Sequence, residues 1–94
     1  MEEEKVPKVE VPARYRGTTG GLALIEVDAD SVRSCIEAVE IQHPGFRELI
    51  LDSEGNVRRF VRLFVNGEAL DRDAVDAPVA DADHVQVLAA AAGG

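Results

Sequence analysis

No stretch of about 18 or more apolar residues occurs in the chain, so no segment is expected to cross a membrane as a helix. There is one cysteine, Cys35, which excludes an internal disulfide and fits a reducing, cytoplasmic setting. The two histidines, His43 and His84, stand apart, and nothing has the spacing of a metal site. No nucleophile–base pair and no cofactor fingerprint is visible. The chain is therefore expected to bind no cofactor or metal and not to be an enzyme itself. Basic residues are few: 10 Lys and Arg against 18 Asp and Glu, a net charge of −8. A phosphate backbone is repelled by such a chain, which argues against nucleic acid as a partner. A partner with a basic face is attracted, although the same acidity also serves solubility alone.

What remains is a chain of 94 residues, 46% hydrophobic, enough for one domain with a modest core. Residues 1–8 open with Met1-Glu2-Glu3-Glu4-Lys5, which lacks the apolar run of a secretory signal and reads as an acidic disordered tail. Residues 9–88 carry the periodic patterns of a folded domain. Val9-Glu10-Val11 alternates like a half-buried strand, and Pro12 confines it to an edge, a bulge or its end. After the turn signal Thr18-Thr19-Gly20-Gly21, Leu22 to Val27 reads as a second strand paired with the first. Asp28-Ala29-Asp30-Ser31 offers capping oxygens, and Val32, Cys35, Ile36 and Val39 then share one face of a helix over 31–42. On that face Cys35 reads as a small core hydrophobe rather than a working thiol.

Pro44 and Gly45 stop the helix, and Phe46, Leu49 and Ile50 suit a further helical turn. Arg59 to Val65 is the clearest strand, with Val61, Leu63 and Val65 on one side and Phe60, Arg62 and Phe64 on the other. Asn66-Gly67 is a strong hairpin signal leading to a short strand over 68–70, and His84 to Leu88 forms the last strand. The expected core is Val9, Val11, Leu22, Ile25, Val32, Ile36, Val39, Val61, Leu63, Val85 and Val87. The fold class is α+β: a mixed sheet of four to five strands with one main helix packed on one face. The face with Phe60, Arg62, Phe64 and Leu88 is then left open as a docking patch. Arg58, Arg59 and Arg62 form a local basic cluster beside it.

Residues 89–94 contain no bulky side chain and end Ala92-Gly93-Gly94. They are expected to form a flexible tail. Glycine has no Cβ, so such an end passes a narrow channel that other residues do not. From Leu88 to Gly94 the reach is roughly 20 Å at ~3.4 Å per residue, enough to enter a neighbouring enzyme while the domain stays outside.

Several stretches carry a resemblance: Thr19-Gly20-Gly21, His43-Pro44-Gly45-Phe46-Arg47, Arg59-Phe60-Val61, Ala82-Asp83-His84-Val85, and Leu88 followed by Ala92-Gly93-Gly94. Together with the element order they resemble the β-grasp, ubiquitin-like sulfur carriers of the MoaD/ThiS family, above all CysO-type carriers of cysteine synthesis. Such carriers usually have Gly-Asp where this chain has Ala82-Asp83, and often proline where it has Ala89 and Ala90. The resemblance implies that the Gly94 carboxylate, next to Gly93, is adenylated by a MoeB/ThiF-type enzyme that uses ATP and converted to a thiocarboxylate. Phe60, Arg62, Phe64, Leu88 and Ala92 would contact partners. The sulfur acceptor would be a cysteine synthase-like enzyme, a molybdopterin synthase large subunit or a thiosugar-type synthase. Three alternatives stay open: the small subunit of molybdopterin synthase, a non-carrier interaction module, and a modifier joined to lysines.

Overall fold

The computed structural model describes residues 6–89. The expected tails at 1–5 and 90–94 lie outside the described residues. Five strands, β1 (Lys8–Glu10), β2 (Leu24–Glu26), β3 (Val61–Val65), β4 (Glu68–Ala69) and β5 (His84–Ala89), form one sheet in the order β2-β1-β5-β3-β4. β1 and β5 pair in parallel at the centre, and every other pairing is antiparallel. The main helix α1 (Val32–Gln42) and the short helix α2 (Arg47–Ile50) lie between β2 and β3 in sequence. This is the β-grasp arrangement. Its folded limits are slightly wider than the sequence suggests, since Lys8 and Ala89 both belong to strands.

Local chemistry sets each boundary. Ser31 is extended (φ −146°, ψ 163°) and its hydroxyl accepts from the Ser34 N–H at 3.0 Å. The Ser31 N–H in turn donates to Ser34 Oγ at 2.9 Å, closing a reciprocal capping box. At the other end of α1, the His43-Pro44-Gly45-Phe46-Arg47 run makes a corner built on Glu40. Its carboxylate accepts from the backbone N–H of Gly45 at 3.2 Å and of Arg47 at 2.8 Å. Gly45 has φ +104°, a conformation that glycine adopts without strain. The corner drives Phe46 fully into the core. Asn66 (φ 52°) and Gly67 (φ 87°) form the two-residue turn between β3 and β4, joining Val65 to its partner Glu68.

Alternation along the strands decides which side is buried. Val9, Ile25, Val61, Leu63, Val85 and Val87 face the helix and are buried, with Val32, Cys35, Ile36 and Val39 of α1 against them. Leu22 is a correction: expected in the core, it is 50% exposed. β2 begins only at Leu24, and Leu22 sits in the preceding turn, where the Thr19 hydroxyl donates to its carbonyl at 2.8 Å. Thr19 itself is buried by that bond. The core also draws on Phe46 and Ile50 of the short helical turn and on segments without sequence periodicity: Tyr15, Leu51, Val57, Val75 and Val79.

Candidate functional site

β5 lies between β1 and β3, and its last paired residue, Ala89, faces Val61 at the start of β3. Because β1 is parallel to β5, the segment after β1 lies at the same end of the sheet. The chain therefore leaves the domain between residues 12–16 and residues 58–60. Two surfaces meet at this exit.

The first is the open face of the sheet. Arg62 stands directly opposite Leu88, and Phe64 opposite Gln86. Phe64 and Leu88 are thus diagonal neighbours, at a spacing long side chains bridge. Leu88 is 41% exposed and Phe64 is half-buried. The row through Phe64 continues across the sheet as Gln86, Glu10 and Leu24. Leu24 is exposed on this face and was not singled out in the sequence, although its parity against Ile25 and Val27 points it outward. Polar contacts tie the middle of the face together. Gln86 Nε2 donates to Glu10 Oε2 at 3.4 Å, and His84 Nε2 lies 2.9 Å from Glu10 Oε1.

The second surface is a groove of about 440 Å³ lined by Arg14, Tyr15, Glu48, Leu49, Arg58 and Phe60. Here the structure corrects the expected parity of Phe60 with Phe64. Arg59 and Phe60 form a turn closed by the Val61 N–H donating to the Arg58 carbonyl at 3.0 Å, and β3 starts only after it. Phe60 thus joins Tyr15 and Leu49 rather than continuing the strand, and it stays 38% exposed. Burial raises the Tyr15 hydroxyl above its ordinary pKa, and the charges of Arg14 and Arg58 partly oppose that shift.

Cys35 is fully buried, and its thiol is pushed up to about 11, mainly by desolvation and then by the negative charges of Asp30 and Asp83. It stays a neutral thiol at neutral pH and packs as an apolar group. Asp83 moves the other way. Its carboxylate accepts from the Ala80 N–H at 2.8 Å and from Asn66 Nδ2 at 3.0 Å, and these bonds lower its pKa. The Asn66 side-chain carbonyl accepts from the His84 N–H at 2.9 Å. The Ala82-Asp83 turn is thereby locked to the β3–β4 hairpin and sets where β5 begins.

The ThiS family model matches residues 9–94, nearly all of the folded domain and the Gly-Gly end. The chain belongs to the ThiS family. Comparison with the curated proteins gives no match. Among solved structures, this family member is similar to the CysO of Amycolatopsis orientalis, determined in a BexX/CysO complex. The two share 32% identity at a TM-score of 0.86, over 95% of this chain and 100% of the other. It is also similar to the CysO of Mycobacterium tuberculosis, an antigen, at 30% identity and a TM-score of 0.83, over 90% of this chain and 99% of that one. Small archaeal modifier protein 1 of Haloferax volcanii shares the fold, at 20% identity and a TM-score of 0.74, over 94% and 98% of the two chains.

Membership of the ThiS family makes the protein a ubiquitin-like sulfur carrier or modifier close to CysO. Of the residues singled out in the sequence, Arg62, Phe64 and Leu88 share the open face, and Phe60 lines the adjoining groove. Ala92, Gly93 and Gly94 lie outside the described residues. No helix among the described residues is long and apolar enough to cross a membrane.

Proposed function

We propose that this chain is a CysO-like sulfur carrier that works as a protein co-substrate. A Gly94 carboxylate oxygen attacks the α-phosphorus of ATP on a MoeB/ThiF-type enzyme, and pyrophosphate leaves. A sulfur nucleophile then attacks the acyl carbon and expels AMP, leaving a Gly94 thiocarboxylate. That sulfur is passed to an acceptor enzyme that makes cysteine or another sulfur-containing metabolite. The observation that carries this reading is the family match running through Gly94, on a chain whose last strand ends at the margin of the sheet. The similarity to CysO over nearly the whole chain supports it further, as does the solved pairing of one such CysO with BexX. Arg62, Phe64 and Leu88 dock the partner beside the tail, with Phe60 next to them and Ala92 in the channel.

The test is mass spectrometry after incubation with ATP, a MoeB/ThiF-type enzyme and sulfide. The chain is expected to gain about 16 Da, one oxygen replaced by sulfur. Deletion of Gly93 and Gly94 abolishes the gain and leaves the fold intact. An unmodified full-length chain with several such enzymes refutes the carrier reading, and lysine conjugates in place of the thiocarboxylate make the protein a modifier.

A further inference from the structure

The chain holds its positive charge in two chemical forms, and they occupy different places. Of its 10 Lys and Arg residues, two are lysines, Lys5 and Lys8, and both precede Val9; every cation after Val9 is an arginine. Lys8 opens β1 and stands beside His84, the first residue of β5. The tail leaves from the other end of β5, after Ala89. Five steps of strand separate His84 from Ala89, roughly 17 Å at ~3.3 Å per residue. The segments that flank the exit carry Arg14, Arg16, Arg58, Arg59 and Arg62. Arg62 is exposed and stands opposite Leu88, and Arg59 is exposed two residues before Val61, the partner of Ala89.

Lysine and arginine differ in what they do to an activated acyl group. A lysine with its ordinary pKa releases about one part in a thousand of free amine at pH 7.4, and that amine is a nucleophile. A guanidinium stays protonated and offers no lone pair. Proximity magnifies the difference, since a group on a short flexible linker meets its neighbours at an effective concentration of about millimolar. From Ala89 to Gly94 the tail spans at most roughly 17 Å, at ~3.4 Å per residue. Its end can fold back over residues 14–16 and 58–62, but it meets Lys8 only when stretched back along the whole sheet. We infer that the folded domain is an acyl donor closed to its own Gly94, and that acylation of one copy by another is confined to amines ahead of Val9, Lys5 and Lys8 among them. The inference rests on the carrier reading and adds the acceptor sites. In the reaction that is avoided, a lysine Nζ attacks the acyl carbon of the Gly94 adenylate. The C–N bond forms, the C–O bond to AMP breaks, AMP leaves with the electron pair, and the amine proton passes to solvent. The resulting amide would hold the tail against the domain and remove the carrier from further cycles.

The experiment uses the full chain carrying a thioester at Gly94, made by cleaving an intein fusion with a small thiol, so the acyl group is activated without a partner enzyme. Held at about pH 8 and low concentration, the wild-type thioester is expected to end as the hydrolysed chain, although Lys8 is present. Arg59→Lys keeps the charge and adds an amine at the exit. It is expected to give at least about tenfold more of a monomer about 18 Da lighter than the hydrolysed chain, the water lost in forming an amide. That product should resist hydroxylamine and carry Gly94 on residue 59. Thermal melts check that the variant folds, and Arg62→Lys repeats the test by mass alone. At high concentration, wild-type multimers are expected to be linked only through Lys5, Lys8 or the α-amino group, and Lys5→Arg/Lys8→Arg should leave the α-amino group alone. A lighter monomer from the wild-type thioester overturns the inference, as do folded Arg59→Lys and Arg62→Lys thioesters that both hydrolyse without forming one. The enzyme arm is separate: a wild-type chain that releases no pyrophosphate from ATP with any adenylating enzyme overturns the carrier reading, whatever the thioesters do.

Discussion

Ala82→Gly is expected to stabilise the protein. Ala82 holds φ +71°, in the left-handed region, and is exposed, so its methyl group contributes nothing to the core. The turn keeps it there: the Asp83 N–H donates to the Ala80 carbonyl at 3.1 Å while the Asp83 carboxylate accepts the Ala80 N–H. For an L-residue this conformation costs about 1–2 kcal/mol, because Cβ crowds the following carbonyl. Glycine removes that cost, but its freer unfolded chain returns about 0.4–1 kcal/mol. The net gain is about 0.5–1 kcal/mol, which for a domain of this size raises Tm by roughly 3–6 °C. Asn66, the other non-glycine residue at positive φ (52°) among the described residues, is a type that tolerates the region, and its side chain bonds Asp83 and the His84 N–H, so Asn66→Gly should lower stability instead. The assay is urea unfolding with thermal melts, the midpoint rising and the m-value unchanged. A Tm unchanged or lowered in Ala82→Gly refutes the strain argument.

Asp83 and Asp52 are held below the ordinary carboxylate pKa of 3.8 by backbone N–H donors. A carboxylate with a depressed pKa contributes stability above 3.8 that is lost as pH falls through its folded value. The urea midpoint should therefore fall as pH drops below about 4, and less steeply in Asp83→Asn. Cys35 should resist thiol reagents at pH 8 in the folded chain and react at once in urea, since its pKa is about 11; rapid labelling of the native protein would contradict its burial. Phe64→Asp should weaken docking to the adenylating enzyme several-fold with Tm little changed, because the ring is half-buried on the open face; normal binding removes that face from the interface.

The elements readable from the sequence are those set by local chemistry. Ser31 capping α1, the spacing of Val32, Cys35, Ile36 and Val39, and the Asn66-Gly67 turn each depend on residues within one or two turns of chain. Leu22 does not share the parity of Ile25. In one continuous strand those two side chains point to opposite faces, and in the structure Leu22 is not in the strand at all. Phe60 leaves the parity of Phe64 for a related reason, since a turn closed by Arg58 interrupts the alternation just before Val61. Leu51 and Val57 are core residues in segments too short to show a period. On the candidate site, Arg62, Phe64 and Leu88 were legible from alternation alone. The groove was not, because it joins Arg14 and Tyr15 to Phe60 across more than forty residues of sequence.

β5 is the last strand in the chain yet lies in the middle of the sheet, bonded to β1 on one side and β3 on the other. A force applied through the tail therefore loads both ladders lengthwise, and their hydrogen bonds resist together in shear instead of opening one at a time as they would at an edge. An enzyme can draw the end of this chain into its channel under tension without unzipping the domain that anchors it.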